Sequence, residues 1–281
     1  MAKNVTRKPI RVGTVVKYVA LFILLIIFIG PIIWQISLAF KGRGDNIYAV
    51  PPYFWPRDFT WDNFYRVFTD IPILTYLKNS LIVTTVNVCA NLITATMAGF
   101  ALTRVRFPGK RLVTLVIFGC MLIPGETVLV SQFLVIRALG LQNNLFGVIL
   151  PGLCQAMNIV LMINAFSGIP RELEEAAEVD GANIWRRYWN VCLPQVKGTC
   201  AVIAIFTFIA AWNDFMWPII VLTDESKYTL TVGLNRLRGT FFSDPRLIAA
   251  GAVVALIPIV IFYLIFQRYF FQGVEEGGTK G

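Results

Sequence analysis

Hydrophobic positions in this chain gather in six long blocks, at residues 18–40, 81–102, 113–134, 145–166, 202–222 and 248–266. Each comes close to or exceeds the ~20 residues that a helix needs to cross a hydrocarbon core of ~30 Å. The pattern predicts an all-α, polytopic membrane protein with six transmembrane helices in one membrane domain, residues 1–281. All blocks but the second contain a proline (Pro31, Pro124, Pro151, Pro218, Pro258), followed in two cases by Gly125 and Gly152. Proline removes a backbone donor and crowds the carbonyl four residues back. Inside a membrane, neighbouring helices must then satisfy the freed groups. These interruptions read equally as packing or pathway sites and as plain kinks.

The first block follows a basic leader (Lys3, Arg7, Lys8, Arg11, Lys17), and Ser37-Leu38-Ala39 loosely resembles a cleavage site. Its apolar core, 18–34, is longer than the ~7–15 residues of a signal sequence, so a retained helix is expected. Two segments between blocks stand out. Residues 42–76 are rich in proline and aromatics and read as an interfacial aromatic belt or as a cap that receives a partner. Residues 223–247 are polar with turn formers and read as an exposed loop.

Composition supports a membrane solution. The 281 residues are 57% hydrophobic and 15% charged, against ~45–50% and ~25% in soluble domains. The 25 Lys and Arg against 16 Asp and Glu give +9. Many of these cations sit at block ends, as orientation signals facing anionic lipid do. No basic stripe with interleaved aromatics lies outside the blocks, so nucleic acid is not an expected partner. The leader and the tight loop with Arg104, Arg106, Lys110 and Arg111 are predicted to be cytoplasmic, and six crossings would return the carboxyl terminus to that side. The five cysteines form no CxxC pair and read as small buried hydrophobes. Histidine is absent, which removes the commonest general base and transition-metal ligand.

The informative polar segment is 167–197, cytoplasmic by the same charge argument. Pro170 followed closely by Glu172, Glu174 and Glu175 is a strong helix start, because carboxylates complement the positive end of the helix dipole. Ala176, Ala177 and Gly181 form a small-residue face, and Gly181 can also supply a turn. A second short helix is expected over 183–192, ending before Pro194. The segment reads as a docking element or as a charged, solvated helix.

Glu175-Ala176-Ala177, three residues, Gly181, nine residues and Val191-Cys192-Leu193-Pro194 resemble the EAA loop of ABC importer permeases, with Val191 where the family pattern has isoleucine. The match falls before the second-last helix, as in that family. Leu77-Lys78-Asn79-Ser80, Ala211-Trp212-Asn213-Asp214-Phe215-Met216-Trp217-Pro218 and the ending Gly273-Val274-Glu275-Glu276-Gly277-Gly278-Thr279-Lys280-Gly281 resemble its sugar-transporting branch, which includes the maltose permease subunits. The tail departs from that branch's commonest form, which has fewer acids. The resemblance covers 18–281, most specifically a permease core at 79–271.

The resemblance implies a type I importer in the plasma (inner) membrane of a bacterium or archaeon. It implies two permease subunits, of which the second is a different chain, two ATP-binding subunits and an extracytoplasmic solute-binding protein. The chain would form half of the pathway for a carbohydrate or related polyol. Its EAA helix would couple to the ATPase, with Glu172, Glu175 and Asp180 as polar contacts, Ala176, Ala177 and Gly181 allowing close fit, and Pro194 closing the motif. Arg186 and Arg187 would anchor the second short helix to lipid or to partner carboxylates, or act as plain positive-inside residues. The chain itself carries no G-x-x-x-x-G-K-[ST] phosphate loop. ATP and Mg are therefore expected in the partner ATPase, no cofactor in this chain, and no enzyme activity of its own.

Two acids lie inside the blocks, Glu126 and Asp214. Intramembrane acids usually face the bundle interior or a water-filled path. Trp212, Asn213, Asp214, Trp217 and Glu126 are therefore candidates to line the pathway, and the aromatic and amide groups suit a polyol or sugar. The structural alternative is that Glu126 caps a broken helix and that Asn213 with Asp214 bonds a neighbouring helix. The competing functions are an ion-gradient-driven secondary transporter, which would need more midplane ionisable groups and an internal repeat, and a membrane-embedded enzyme, for which no catalytic constellation is present.

Overall fold

The computed structural model describes residues 12–237 and 244–278. The basic positions Lys3, Arg7, Lys8, Arg11 and Arg238, and the last residues of the ending from Thr279, lie outside them. Helix α1 (Val12–Ala39) runs unbroken through Pro31, followed by the short α2 (Asp62–Asp70). Helix α3 (Ile73–Arg104) holds the one block without proline and is a single helix of 32 residues. The third block divides into α4 (Lys110–Met121) and α5 (Leu129–Ala138), bent by 95° at a break that contains Pro124. The fourth comprises α6 (Leu145–Ile149), a 3-10 turn over Leu150–Gly152, and α7 (Ala156–Ser167). Next come α8 (Arg171–Val179), α9 (Ile184–Arg186), a π-helical segment Arg187–Cys192 and α10 (Leu193–Gln195). The fifth block is split between α11 (Lys197–Asn213) and α12 (Met216–Val221). Helix α13 (Leu230–Asn235) precedes α14 (Pro245–Gly278), which passes through Pro258. Four helical stretches are long and apolar enough to cross a membrane, or up to six if each of two bent pairs is one span. Among the described residues there is no sheet, only an isolated bridge between Lys41 and Phe59.

The chain separates into two compact units, residues 1–70 with 237–254, and residues 71–236 with 255–281. In the first, α1 exposes apolar side chains on every face, as a lipid-facing helix does. The segment after it is folded, while Trp55, Phe59, Trp61 and Tyr65 remain exposed as in an aromatic belt. Its centre is Lys41, 1% exposed. The ammonium donates to Tyr53 O at 2.6 Å and lies over the rings of Trp34 and Tyr53 at 4.3 and 4.6 Å. Burial pulls the pKa of Lys41 down, against the opposing charge of Asp45. Asp45 is itself buried and accepts from the amides of Arg57 and Asp58. Asn63 donates to Ala39 O and Lys41 O, and Arg246 donates to Asp45 O at 2.6 Å.

The second unit is built on α3, which packs against α7 and α11. The helices approach closely at Gly99, where a Cβ would stand 2.5 Å from that of Met162. Phe100, Met162, Phe166, Tyr188, Cys192 and Ile203 form its main apolar cluster. Contrary to the expected exposed loop, residues 226–233 are fastened to α3. Asn79 donates to Ser226 O and Tyr228 O at 3.0 Å, and Ser80 Oγ accepts from the Leu230 amide at 2.8 Å. Gly233 lies against the ring of Tyr76, leaving no room for a side chain.

The breaks in the fourth and fifth blocks follow from proline. In a continuous helix Pro218 would crowd the carbonyl of Asp214 and Pro151 that of Gly147. The fifth block opens at 214–215, and the fourth tightens into its 3-10 turn before it opens at 153–155. Asp214 O takes a hydrogen bond from Thr231 Oγ1 at 2.6 Å, and Gly147 O takes one from the Trp217 indole at 3.3 Å. Pro218 then occupies the first turn of α12, where no donor is needed. Asn91, fully buried on α3, bridges the other break. It donates to Gly152 O at 2.6 Å and accepts from the Gln155 amide and from Asn158 Nδ2 at 3.1 and 3.0 Å. Neighbouring helices thus satisfy the freed groups, as lipid demands. The cysteines differ from expectation: Cys192 is buried, whereas Cys89, Cys120 and Cys154 are exposed on the chain's surface.

Candidate coupling loop and pathway residues

The segment 167–197 begins where Pro170 introduces α8, an amphipathic helix with a single buried acid, Glu174. Glu172, Glu175, Glu178 and Asp180 are exposed, as are Ala176, Leu173 and Val179, while Ala177 is half-buried. The helix closes with a left-handed residue, Gly181, at φ +79°. The Gly181 amide donates to Glu178 O at 3.0 Å and the Ala182 amide to Ala177 O at 2.9 Å, the two bonds of a Schellman end. A Cβ on Gly181 would meet nothing within 4 Å in this chain, so within the chain the glycine serves the backbone angle. Asn183 then caps the next helix, accepting from the Arg186 amide at 2.9 Å.

The second helix does not stop before Pro194. It continues to Gln195 by widening into the π segment Arg187–Cys192. A wide turn is one way for a helix to admit a proline without the usual clash. Pro194 is exposed. Arg187 pairs with Glu178 at 2.6 Å and so joins the two halves of the loop, while Arg186 is exposed.

Glu174 carries a signal that the sequence reading missed. Its Oε1 lies 3.0 Å from Nε of Arg104, the last residue of α3, and both side chains are almost wholly buried. Arg104 also donates to Phe166 O, and to Ile169 O at 2.6 Å. Tyr188 gives a second tie, its hydroxyl donating to Thr96 Oγ1 on α3 at 2.8 Å. Beside α8 opens a cleft of about 490 Å³, lined by Arg106, Lys110, Arg171, Glu175, Glu178 and Arg187 among others. Only the fold could show that Glu174 faces Arg104.

The five pathway candidates do not form one constellation. Trp212 is buried, stacked on Phe208, with its indole donating to Ala255 O at 3.1 Å. Trp217 is buried and committed to Gly147 O. Both indole donors are therefore used within the chain, and neither ring is an open platform for a sugar. Asn213 is exposed, with its amide donating back to Ile209 O at 2.9 Å. The Asp214 carboxylate accepts from the Trp217 amide at 3.3 Å at the start of α12, a local bond rather than the bond to a neighbouring helix that the structural alternative expected. Glu126 is exposed in the 3-10 turn Gly125–Val128 between α4 and α5.

Comparison with known proteins agrees with this architecture. The chain is similar to the arabinooligosaccharides transport system permease protein AraQ of Halalkalibacterium halodurans, with 32% identity over 81% of this chain and 82% of that protein. It is similar to the trehalose/maltose transport system permease protein MalG of Thermococcus litoralis, with 30% identity over 91% of this chain and 93% of that protein. A crystal structure of a bacterial ABC transporter involved in the import of the acidic polysaccharide alginate contains a chain of the same fold. Its TM-score is 0.80 at 29% identity, covering 94% of this chain and 100% of that one. Residues 10–276 match the family described as the inner membrane component of binding-protein-dependent transport systems. The chain belongs to that family and is a multi-pass membrane permease of an ABC importer.

Proposed function

We propose that this permease forms half of the translocation pathway for a carbohydrate or related polyol and couples through α8 to a separate ATPase. The observation that carries the coupling is the projection of Glu172, Glu175, Ala176 and Asp180 from a helix whose far end is fixed by Gly181. Solvated acids and small side chains on a rigid helix suit a groove in a partner protein, where close approach and charge complementarity set the fit. ATP and Mg²⁺ bind in that partner, which performs the hydrolysis. A second, different permease chain completes the pathway, and an extracytoplasmic binding protein delivers the solute. The carbohydrate assignment draws on relatives named for arabinooligosaccharides and for trehalose and maltose. Both termini lie on the cytoplasmic side with the docking helix, consistent with the basic tight loop at Arg104–Arg111. The ion-driven alternative has little to draw on, since Asp214 is spent on capping α12.

The test is affinity purification from native membranes in mild detergent, comparing the wild type with Glu175→Lys and Gly181→Arg. An ATP-binding subunit and a second permease should accompany the wild type, and the ATPase should be lost from both variants. Absence of any nucleotide-binding partner from the intact protein would sink the reading.

A further inference from the structure

We propose that Arg104 is a positioning residue that makes α8 and α3 move as one body when the ATPase acts on the loop. The inference rests on the coupling reading above. From the end of α3 this one guanidinium meets three groups: Glu174 of α8, the carbonyl of Phe166 in the last turn of α7 and that of Ile169 just beyond it. The carbonyl end of a helix carries its negative dipole end, so a cation there is favoured. The planar fork of arginine can serve a carboxylate and carbonyls together, which a lysine ammonium cannot do in the same geometry.

Burial is what separates this pair from an ordinary surface ion pair. The side chains of Arg104 and Glu174 are 6% and 10% exposed, whereas the neighbouring acids Glu172, Glu175 and Glu178 are all exposed. Exposed pairs re-form freely with water and contribute little. A desolvated pair cannot open without leaving a bare charge, so it transmits displacement instead of yielding to it. The loop is also internally braced by Arg187 with Glu178, and joined to α3 a second time through Tyr188 and Thr96. Because α3 is unbroken and packs on both α7 and α11, a push on α8 is delivered to the centre of the second unit.

The experiment uses the complete importer in nanodiscs, with spin labels at Val179, exposed on α8, and Leu74, exposed near the opposite end of α3. Distances are measured without nucleotide and after trapping with ATP and vanadate. In the wild type the distance distribution should be the same in both states. In Arg104→Met it should match the wild type without nucleotide and shift only on trapping. Arg104→Lys keeps the charge and should shift less, and it serves as the test variant if the methionine protein does not fold. A variant distribution that stays unshifted on trapping overturns the proposal. A distribution already altered without nucleotide also overturns it, because Arg104 would then merely hold the fold. Absence of the ATPase from the wild-type complex would instead overturn the docking reading, and this inference with it.

Discussion

Two regions of the second unit interrupt their helices near prolines, and they treat the polar groups involved in opposite ways. At Pro151 and Pro218, within the apolar blocks, the crowded carbonyls of Gly147 and Asp214 are taken up by Trp217 and Thr231, and Asn91 bridges the break beyond Pro151. In the loop 167–197, backbone turns are closed locally by Gly181 and Asn183, while most acids of α8 remain exposed. The reason is the solvent on each side. Hydrocarbon offers no partner, so a polar side chain placed there is committed to its neighbours. Water satisfies a carboxylate without fixing it, which leaves the group free for another protein. The polar residues at these two breaks therefore report on folding, and the exposed acids of the loop are left available to the partner proposed above.

The sharpest way to break this comparison is Asn91→Leu. It strips the partners from Gly152 O and the Gln155 amide and leaves Asn158 with one fewer acceptor. Each buried polar group left unpaired costs about 1–3 kcal/mol, so a total loss of about 3 kcal/mol is expected in thermal unfolding of the purified protein. A loss near zero would mean that water enters the break, and the distinction between the regions would fall. Gly181→Ala has an intermediate effect. The left-handed angle there costs an L-residue about 1–2 kcal/mol, which should appear as faster hydrogen exchange at the α8 amides, with Gly181→Asn milder. Normal exchange in the alanine variant would show that the turn has another support. The smallest effect belongs to Glu175→Gln, whose thermal stability should stay within about 0.5 kcal/mol of the wild type. A loss comparable to that of Asn91→Leu would show that Glu175 is bound inward.

Much of the architecture was legible before any coordinates. The six apolar blocks and the spacing of the EAA loop rest on properties that act locally, namely hydrophobic length, helix-starting carboxylates and a glycine at a turn. Proline alone did not decide where helices break, since α1 and α14 stay whole through Pro31 and Pro258 while the third and fifth blocks divide. The pathway candidates were less legible. Trp212 and Trp217 look alike in sequence to aromatic residues of an open site, and only their neighbours show that both indoles are already engaged.

Sequence by itself determined that this protein lives in a membrane, where its helices can break, and which loop carries the EAA pattern. Each of these follows from composition or from residues within a few turns of one another. Tertiary structure alone decided how those breaks are repaired and which loop acid turns inward. Glu174 meets Arg104 across 70 positions, Asn79 meets Ser226 across 147, and Asn91 meets Gly152 across 61. A hydrogen bond's energy depends on where its partner sits and how little water reaches it. Neither is encoded in the spacing of residues along one helix.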